Sequence, residues 1–360
     1  MKRTPVNPRP LITVLGASGF VGSAVTRELA RRPVRLRAVA RRRIAPAPGP
    51  AETTVVTADL TDRAALAEAV AGSDAVVHLL LADGGWRAAE TEPGAERVNV
   101  GVMRDLIEVL RPGPGDGTPP LVVYGGAASQ VGVPPREPLD GSEPDHPGTA
   151  YDRQKLAAEQ LLMKATAEGR VRGVSLRLPT VFGESAALGA TDRGFVSAMA
   201  RRALAGQTLT MWHDGTVRRD LVHVDDVAAA FTAALDHPGP LVGGHWPIGA
   251  GRGDELGHVF RLVARTMSDC TGRLPVAVMS VEPPPHAPAT DFRSVTIDST
   301  PFRAVTGWRP RISLSEGVRR TVAALARQQD GGPVGAGTRG RSAGARPSPA
   351  VPSRSGKAGP

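Results

Sequence analysis

Residues 11–22 read Leu11-Ile12-Thr13-Val14-Leu15-Gly16-Ala17-Ser18-Gly19-Phe20-Val21-Gly22. The first five are apolar or β-branched, the pattern of a short strand buried on both faces of a parallel sheet. A GxxGxxG turn follows at once. Beyond it Val21, Val25 and Leu29 fall at i, i+4 and i+8, which predicts a helix over 20–31 with its apolar stripe facing the sheet. Spaced glycines alone are only turn chemistry. Between a strand and an amphipathic helix they make a phosphate cradle, because glycine lets the backbone turn tightly and approach a pyrophosphate. The phosphates then meet the free N–H groups and the positive end of the helix. Gly16, Ser18, Gly19, Phe20, Val21 and Gly22 are therefore the candidate dinucleotide contacts.

The same rhythm continues outward. Strands are predicted at 34–39, 53–57, 75–81, 121–124 and 173–178, and helices at 64–71, 96–110 and 151–166. Strands separated by helices imply right-handed crossovers and an α/β fold, a doubly wound parallel Rossmann sheet. The rhythm breaks near residue 180. Pro- and Gly-rich stretches at 238–253 and 283–288 then separate helical patterns at 192–205, 225–235, 254–267 and 313–328. We read these as a smaller C-terminal substrate-binding lobe, partly interleaved with the sheet. The expected division is a flexible N-terminus over 1–10, an NAD(P)-binding Rossmann domain over 11–180, the lobe over 181–328, and a disordered Gly/Pro/Arg tail over 329–360. No internal repeat is visible.

Composition bounds the function. With 360 residues, 41% of them hydrophobic, the chain can build a real core. The single cysteine, Cys270, allows no intrachain disulfide and no zinc site of four thiolates, which fits a reducing cytoplasm. The first ten residues are broken by Pro5, Pro8 and Pro10 and lead into no signal-peptide core, and no apolar run reaches membrane-spanning length. The net charge is +9, but Arg339, Arg341, Arg346, Arg354 and Lys357 put five of those charges in the tail. Neither nucleic acid nor a membrane is the expected partner. His213, His223 and His245 are too scattered for metal ligands, so no metal is expected.

Two further features carry chemistry. Where an NAD site would place an acid for the ribose 2′-hydroxyl, the end of the second strand reads Ala40-Arg41-Arg42-Arg43. An Arg41/Arg42 fork suits a 2′-phosphate, hence NADPH in preference to NAD, unless these are simply solvated loop arginines. Asp59 and Leu60 follow the third strand, where they either contact the adenine or, for Asp59, cap the next helix. The chain has two tyrosines, yet Tyr151-Asp152-Arg153-Gln154-Lys155 sets one of them a helical turn from a lysine. A phenol of pKa about 10 shuttles protons poorly at neutral pH, and an adjacent ammonium stabilises the phenolate and brings that value down.

The GASGFVG turn, Tyr151-x-x-x-Lys155, Leu178-Pro179-Thr180-Val181-Phe182-Gly183 and Arg219-Asp220-Leu221-Val222-His223-Val224-Asp225-Asp226 together resemble the extended short-chain dehydrogenase/reductases, the NAD-dependent epimerase/dehydratase family acting on sugar nucleotides. The likeness spans about residues 11–328. More narrowly, Tyr151 to Leu162 and Ala127 to Gly132 resemble the bacterial NDP-4-keto-6-deoxyhexose 4-ketoreductases of antibiotic deoxysugar biosynthesis. The resemblance implies that Tyr151 protonates the carbonyl oxygen as hydride arrives and that Lys155 holds the nicotinamide ribose. It places Asn99 near the cofactor, although a helix asparagine bonding backbone reads equally well. Pro179 and Thr180 would line the nicotinamide pocket or end the strand. Arg219 would meet the substrate diphosphate and Trp212 the substrate, or they are a salt-bridged arginine and a core indole.

One position departs from the family. Counting back five residues from Gly132, the hydroxyl that polarises the substrate carbonyl is replaced by Ala127, which cannot donate. Ser129 is the nearest hydroxyl and is expected to take over part of that role, or else to be a loop hydroxyl of a slow or inactive protein. The Asp-Glu pair of the sugar-nucleotide 4,6-dehydratases is replaced by Ala128-Ser129, so elimination is not expected. The expectation is NADPH-dependent reduction of the C4 ketone of an NDP-4-keto-6-deoxyhexose. An NAD-dependent 4-epimerase and a non-catalytic NADP-binding protein remain as alternatives. A homodimer is compatible with the resemblance, and no surface singles itself out for it.

Overall fold

A computed structural model describes residues 9–111, 117–185, 192, 194–212, 214–283 and 292–330. The expected flexible start and basic tail, apart from residues 9–10 and 329–330, and His213, lie outside the described residues.

Seven parallel strands form the central sheet: β1 (Leu11–Leu15), β2 (Arg35–Ala40), β3 (Glu52–Thr57), β4 (Ala75–His78), β5 (Leu121–Ala127), β6 (Arg172–Leu178) and a seventh, His245–Pro247. Their order is seventh-β6-β5-β4-β1-β2-β3. The chain runs outward from β1 to β3, returns to the other side of β1 as β4, and runs outward again. That reversal opens a crevice at the carboxyl ends of β1 and β4, where doubly wound sheets bind ligands. β1 and β4 are buried throughout, and alternate residues feed opposite layers. Ile12 and Val14 pack with α1 (Phe20–Ala30) and the helix Val224–Asp236, while Leu15 packs with α2 (Arg63–Val70) and the helices Val102–Val109 and Ala150–Ala167.

Several boundaries moved for physical reasons. The 75–81 run ends as a strand at His78, and β5 runs on to Ala127, so the turn bearing Ser129 starts at the crevice. The helix expected over 96–110 opens with a π turn, Arg97–Gly101, before becoming α-helical at Val102. The four C-terminal helical patterns appear as Phe195–Leu204, Val224–Asp236, Leu256–Thr271 and Leu314–Asp330. Three of them contribute to a third apolar cluster around Phe182, Leu209, Phe260 and Val318. The strand His245–Pro247 was hidden because three residues inside a Pro/Gly-rich stretch show no periodicity. Among the described residues, no helix is long and apolar enough to cross a membrane.

Candidate active site

The glycine turn is built to bring β1 and α1 together. Gly16 adopts φ +86°, open to glycine at little cost, and the N–H groups of Gly16 and Ala17 both donate to the Val39 carbonyl at 3.1 and 3.0 Å. A Cβ on Gly22 would stand 2.0 Å from the Gly16 oxygen, so only glycine lets the helix approach so closely. Gly19 is the N-cap and no side chain caps α1. Its first N–H groups therefore face the crevice beside the half-buried Ser18, Phe20 and Val21. This cradle fits a pyrophosphate.

At the adenosine end, Arg41 pairs with Asp83 at 2.5 Å, and Arg42 and Arg43 are exposed. Asp59 caps no helix: its carboxylate takes the N–H and hydroxyl of Thr61 at 3.0 and 2.7 Å. The cap of α2 is Asp62, which accepts from Ala64 and Ala65. Leu60 is buried. Asn99, also buried, accepts from the Ala82 N–H at 2.9 Å and donates to Gln154 at 2.7 Å. Its carboxamide ties the segment after β4 to the tyrosine helix.

That helix, Ala150–Ala167, presents Tyr151, Lys155 and Glu159 at four-residue spacing along one face. Lys155 is buried, donates to the Gly125 carbonyl at 2.7 Å, and lies 4.9 Å from the ring centre of Tyr124 and 5.9 Å from that of Tyr151. Burial pushes its ammonium down to about 8, against the pull of Glu159. The Tyr151 phenol is shifted upward, first by burial and then by the neighbouring Asp152 carboxylate. The expected lowering by the ammonium does not outweigh these two effects: Lys155 directs a proton to Gly125, with its nitrogen over the Tyr151 ring.

Behind this pair is a buried ionic network that sequence reading missed. Arg177 on β6 meets Glu159 at 2.5 Å and, through both terminal nitrogens, Asp145 at 2.7 and 2.8 Å. Ser175 donates to Glu159 at 2.6 Å. The available signal was Glu159 itself, a carboxylate one turn beyond Lys155. The fully buried His78 packs edge-on to Tyr124, ring centres 5.5 Å apart, and burial with the nearby Lys155 charge pushes it down to about 3, so it is neutral.

Ala127 ends β5, buried, with its N–H donating to Gln130 at 2.8 Å. Ser129 is exposed in the following turn, and its hydroxyl donates to Asp152 at 2.5 Å. The other Asp152 oxygen takes the Thr149 hydroxyl at 2.7 Å. Half-buried Pro179 follows the last residue of β6, and Thr180 begins a short strand paired with Leu221–His223.

Trp212 and Arg219 meet a common segment. Trp212, partly exposed rather than in the core, stacks at a tilt on Phe292 with ring centres 5.9 Å apart. Arg219 donates to the backbone carbonyls of Arg218 at 3.0 Å and Arg293 at 2.5 Å. Asp225 pairs with Arg27 and Arg320, and Asp226 accepts the N–H groups of Arg311 and Ile312. His223 is buried, accepts from the Asp225 N–H, and donates through Nε2 to Glu184 at 3.0 Å.

A doubly wound parallel sheet, a glycine cradle at its switch point and a Tyr-x-x-x-Lys helix beside it define an extended short-chain dehydrogenase/reductase. The chain belongs to the NAD dependent epimerase/dehydratase family, whose model matches residues 12–249. It is 30% identical over 332 residues to a dTDP-6-deoxy-L-talose 4-dehydrogenase (NAD(P)(+)) of Kitasatospora kifunensis, covering 86% of this chain and 93% of that protein. It is 29% identical over 271 residues to a UDP-glucose 4-epimerase of Mycolicibacterium smegmatis, covering 74% and 80%. Among solved structures, MoeE5 in complex with UDP-glucose and NAD superposes with a TM-score of 0.72 at 25% identity, over 89% of this chain and 99% of that one.

Proposed function

We propose that the protein reduces the C4 ketone of an NDP-4-keto-6-deoxyhexose, with NADPH as the hydride donor, in deoxysugar biosynthesis. The observation that carries this reading is the Tyr151–Lys155 pair, one helical turn apart at the carboxyl edge of the sheet with the lysine nitrogen 5.9 Å from the phenol ring centre. Reduction needs an acid at the ketone oxygen, and a phenol beside a cation that offsets its phenolate charge can be that acid. Bound NADPH supplies hydride to C4. Tyr151 gives its proton to the oxygen as negative charge develops there, and the phenolate left behind regains a proton from solvent. Lys155 holds the ribose hydroxyls and offsets the phenolate charge.

The likeness to a talose 4-dehydrogenase along nearly its whole length supports a redox reaction at C4. Exposed Arg42, with Arg41 once it parts from Asp83, supports a 2′-phosphate and so a cofactor exchanged at each turnover. Ala128-Ser129 in place of an Asp-Glu pair speaks against elimination. The likeness to a UDP-glucose 4-epimerase favours a second reading, in which the hydride is removed and returned within one site.

The test is a purified protein mixed with NADPH and a dTDP-4-keto-6-deoxyhexose. Loss of absorbance at 340 nm with formation of a C4 hydroxyl is the expected outcome. Tyr151→Phe should lower kcat by about 10²- to 10⁴-fold. Interconversion of UDP-glucose and UDP-galactose without added NADPH, and no NADPH oxidation, would replace the reductase with the epimerase.

A further inference from the structure

Ser129 stands in the turn that leaves β5 at the crevice, and Asp152 directly follows Tyr151. The two side chains are joined: the Ser129 hydroxyl donates to one Asp152 oxygen, and the Thr149 hydroxyl donates to the other. Asp152 is buried, which raises its carboxyl, while the Ser129 and Thr149 hydrogen bonds and its place in the first turn of the helix favour the charged form. Each of its oxygens accepts from one hydroxyl, and the serine proton is directed at one of them.

A hydroxyl has one proton and two lone pairs. With the proton given to Asp152, the exposed Ser129 presents only lone pairs to the crevice. A ketone oxygen also presents only lone pairs, so Ser129 in this state cannot polarise the reacting carbonyl. A substrate hydroxyl can bond to it. In a 4-keto-6-deoxyhexose, C5 carries the methyl group and the ring oxygen, so the only hydroxyl on a carbon flanking the ketone is at C3.

We propose that Ser129 is a specificity-determining acceptor for the C3 hydroxyl and that Asp152 is the positioning residue that fixes its polarity. The assignment rests on the proposed reaction and narrows its substrate class to 4-ketosugar nucleotides with a free C3 hydroxyl, against those deoxygenated at C3. Tyr151 is then the donor to the ketone, and Ala127 leaves room rather than a missing function.

The experiment compares kcat/KM for a dTDP-4-keto-6-deoxyhexose and its 3-deoxy counterpart. Wild type should favour the hydroxylated sugar by roughly tenfold or more, since the 3-deoxy sugar leaves an acceptor unpaired. Ser129→Ala should bring the ratio to within about twofold of one, mainly through a raised KM for the hydroxylated sugar. Asp152→Ala, which releases the serine proton, should also shrink the ratio. Asp152→Asn keeps an amide oxygen as acceptor and should restore it. A wild-type ratio near one, or a ratio unchanged in Ser129→Ala or in Asp152→Ala, overturns the proposal. If wild type reduces neither ketosugar, the reductase reading falls. The same ratio is then read from dissociation constants of a dTDP-6-deoxyhexose and its 3-deoxy counterpart, where equal affinities overturn the Ser129 assignment.

Discussion

Lys155 works against its own burial. Its folded-state value of about 8 lies below the 10.5 of an exposed lysine, so between those limits the unfolded chain binds more protons than the folded one. Stability from this group therefore rises with pH across that window, and below it the fold carries the full cost of a buried ammonium. Lys155→Met should raise stability to urea at pH 7 by about 1–3 kcal/mol. The gain should fade as melts are repeated from pH 8 to 10.5; a gain independent of pH would contradict the shift. The residue scale also shows where sequence reading was incomplete. The Tyr–Lys spacing is local and legible, but the direction of the Tyr151 shift depends on burial and on where the ammonium bonds, and neither is encoded in the spacing. The cap alternative for Asp59 gave way for a related reason: its carboxylate bonds Thr61, and the backbone path gives the cap of α2 to Asp62.

At the scale of elements, the β1–turn–α1 unit is decided by one close approach. Gly22→Ala would place a Cβ against the Gly16 oxygen and should cost about 1–3 kcal/mol by forcing α1 outward. It should also weaken binding of the nicotinamide dinucleotide at least tenfold, a loss of about 1.4 kcal/mol or more, read by titrating protein fluorescence with NADPH and with NADH. Gly94, with nothing near its missing Cβ, is the control and should accept alanine without either effect. The tyrosine helix was legible almost to its ends because the i, i+4 pattern marks one face, and the structure adds Thr149 as its cap. The role of Glu159 was not, since its partners Ser175 and Arg177 lie on a strand reached only after the helix ends.

Across the whole molecule, Arg177 joins parts distant along the chain: β6, the tyrosine helix through Glu159 and the preceding segment through Asp145. Removing one member of such a buried set leaves charges unpaired, so Arg177→Met should cost about 3–5 kcal/mol in urea unfolding. The double variant Arg177→Met/Glu159→Leu should regain part of that loss; a double variant no better than the single would show that charge pairing is not what Arg177 contributes. The sheet order and the return of His245–Pro247 to its edge belong to this scale too. The sequence by itself determined the α/β class, the glycine cradle and the phenol–ammonium pair, because strand burial, turn sterics and helical periodicity act between residues close along the chain. Only the tertiary structure decided that Ser129 meets Asp152, that Arg41 meets Asp83 and that Arg177 meets Glu159. Side chains of one charge or polarity can satisfy many partners, and the choice falls to whichever group the crossovers bring within hydrogen-bonding reach.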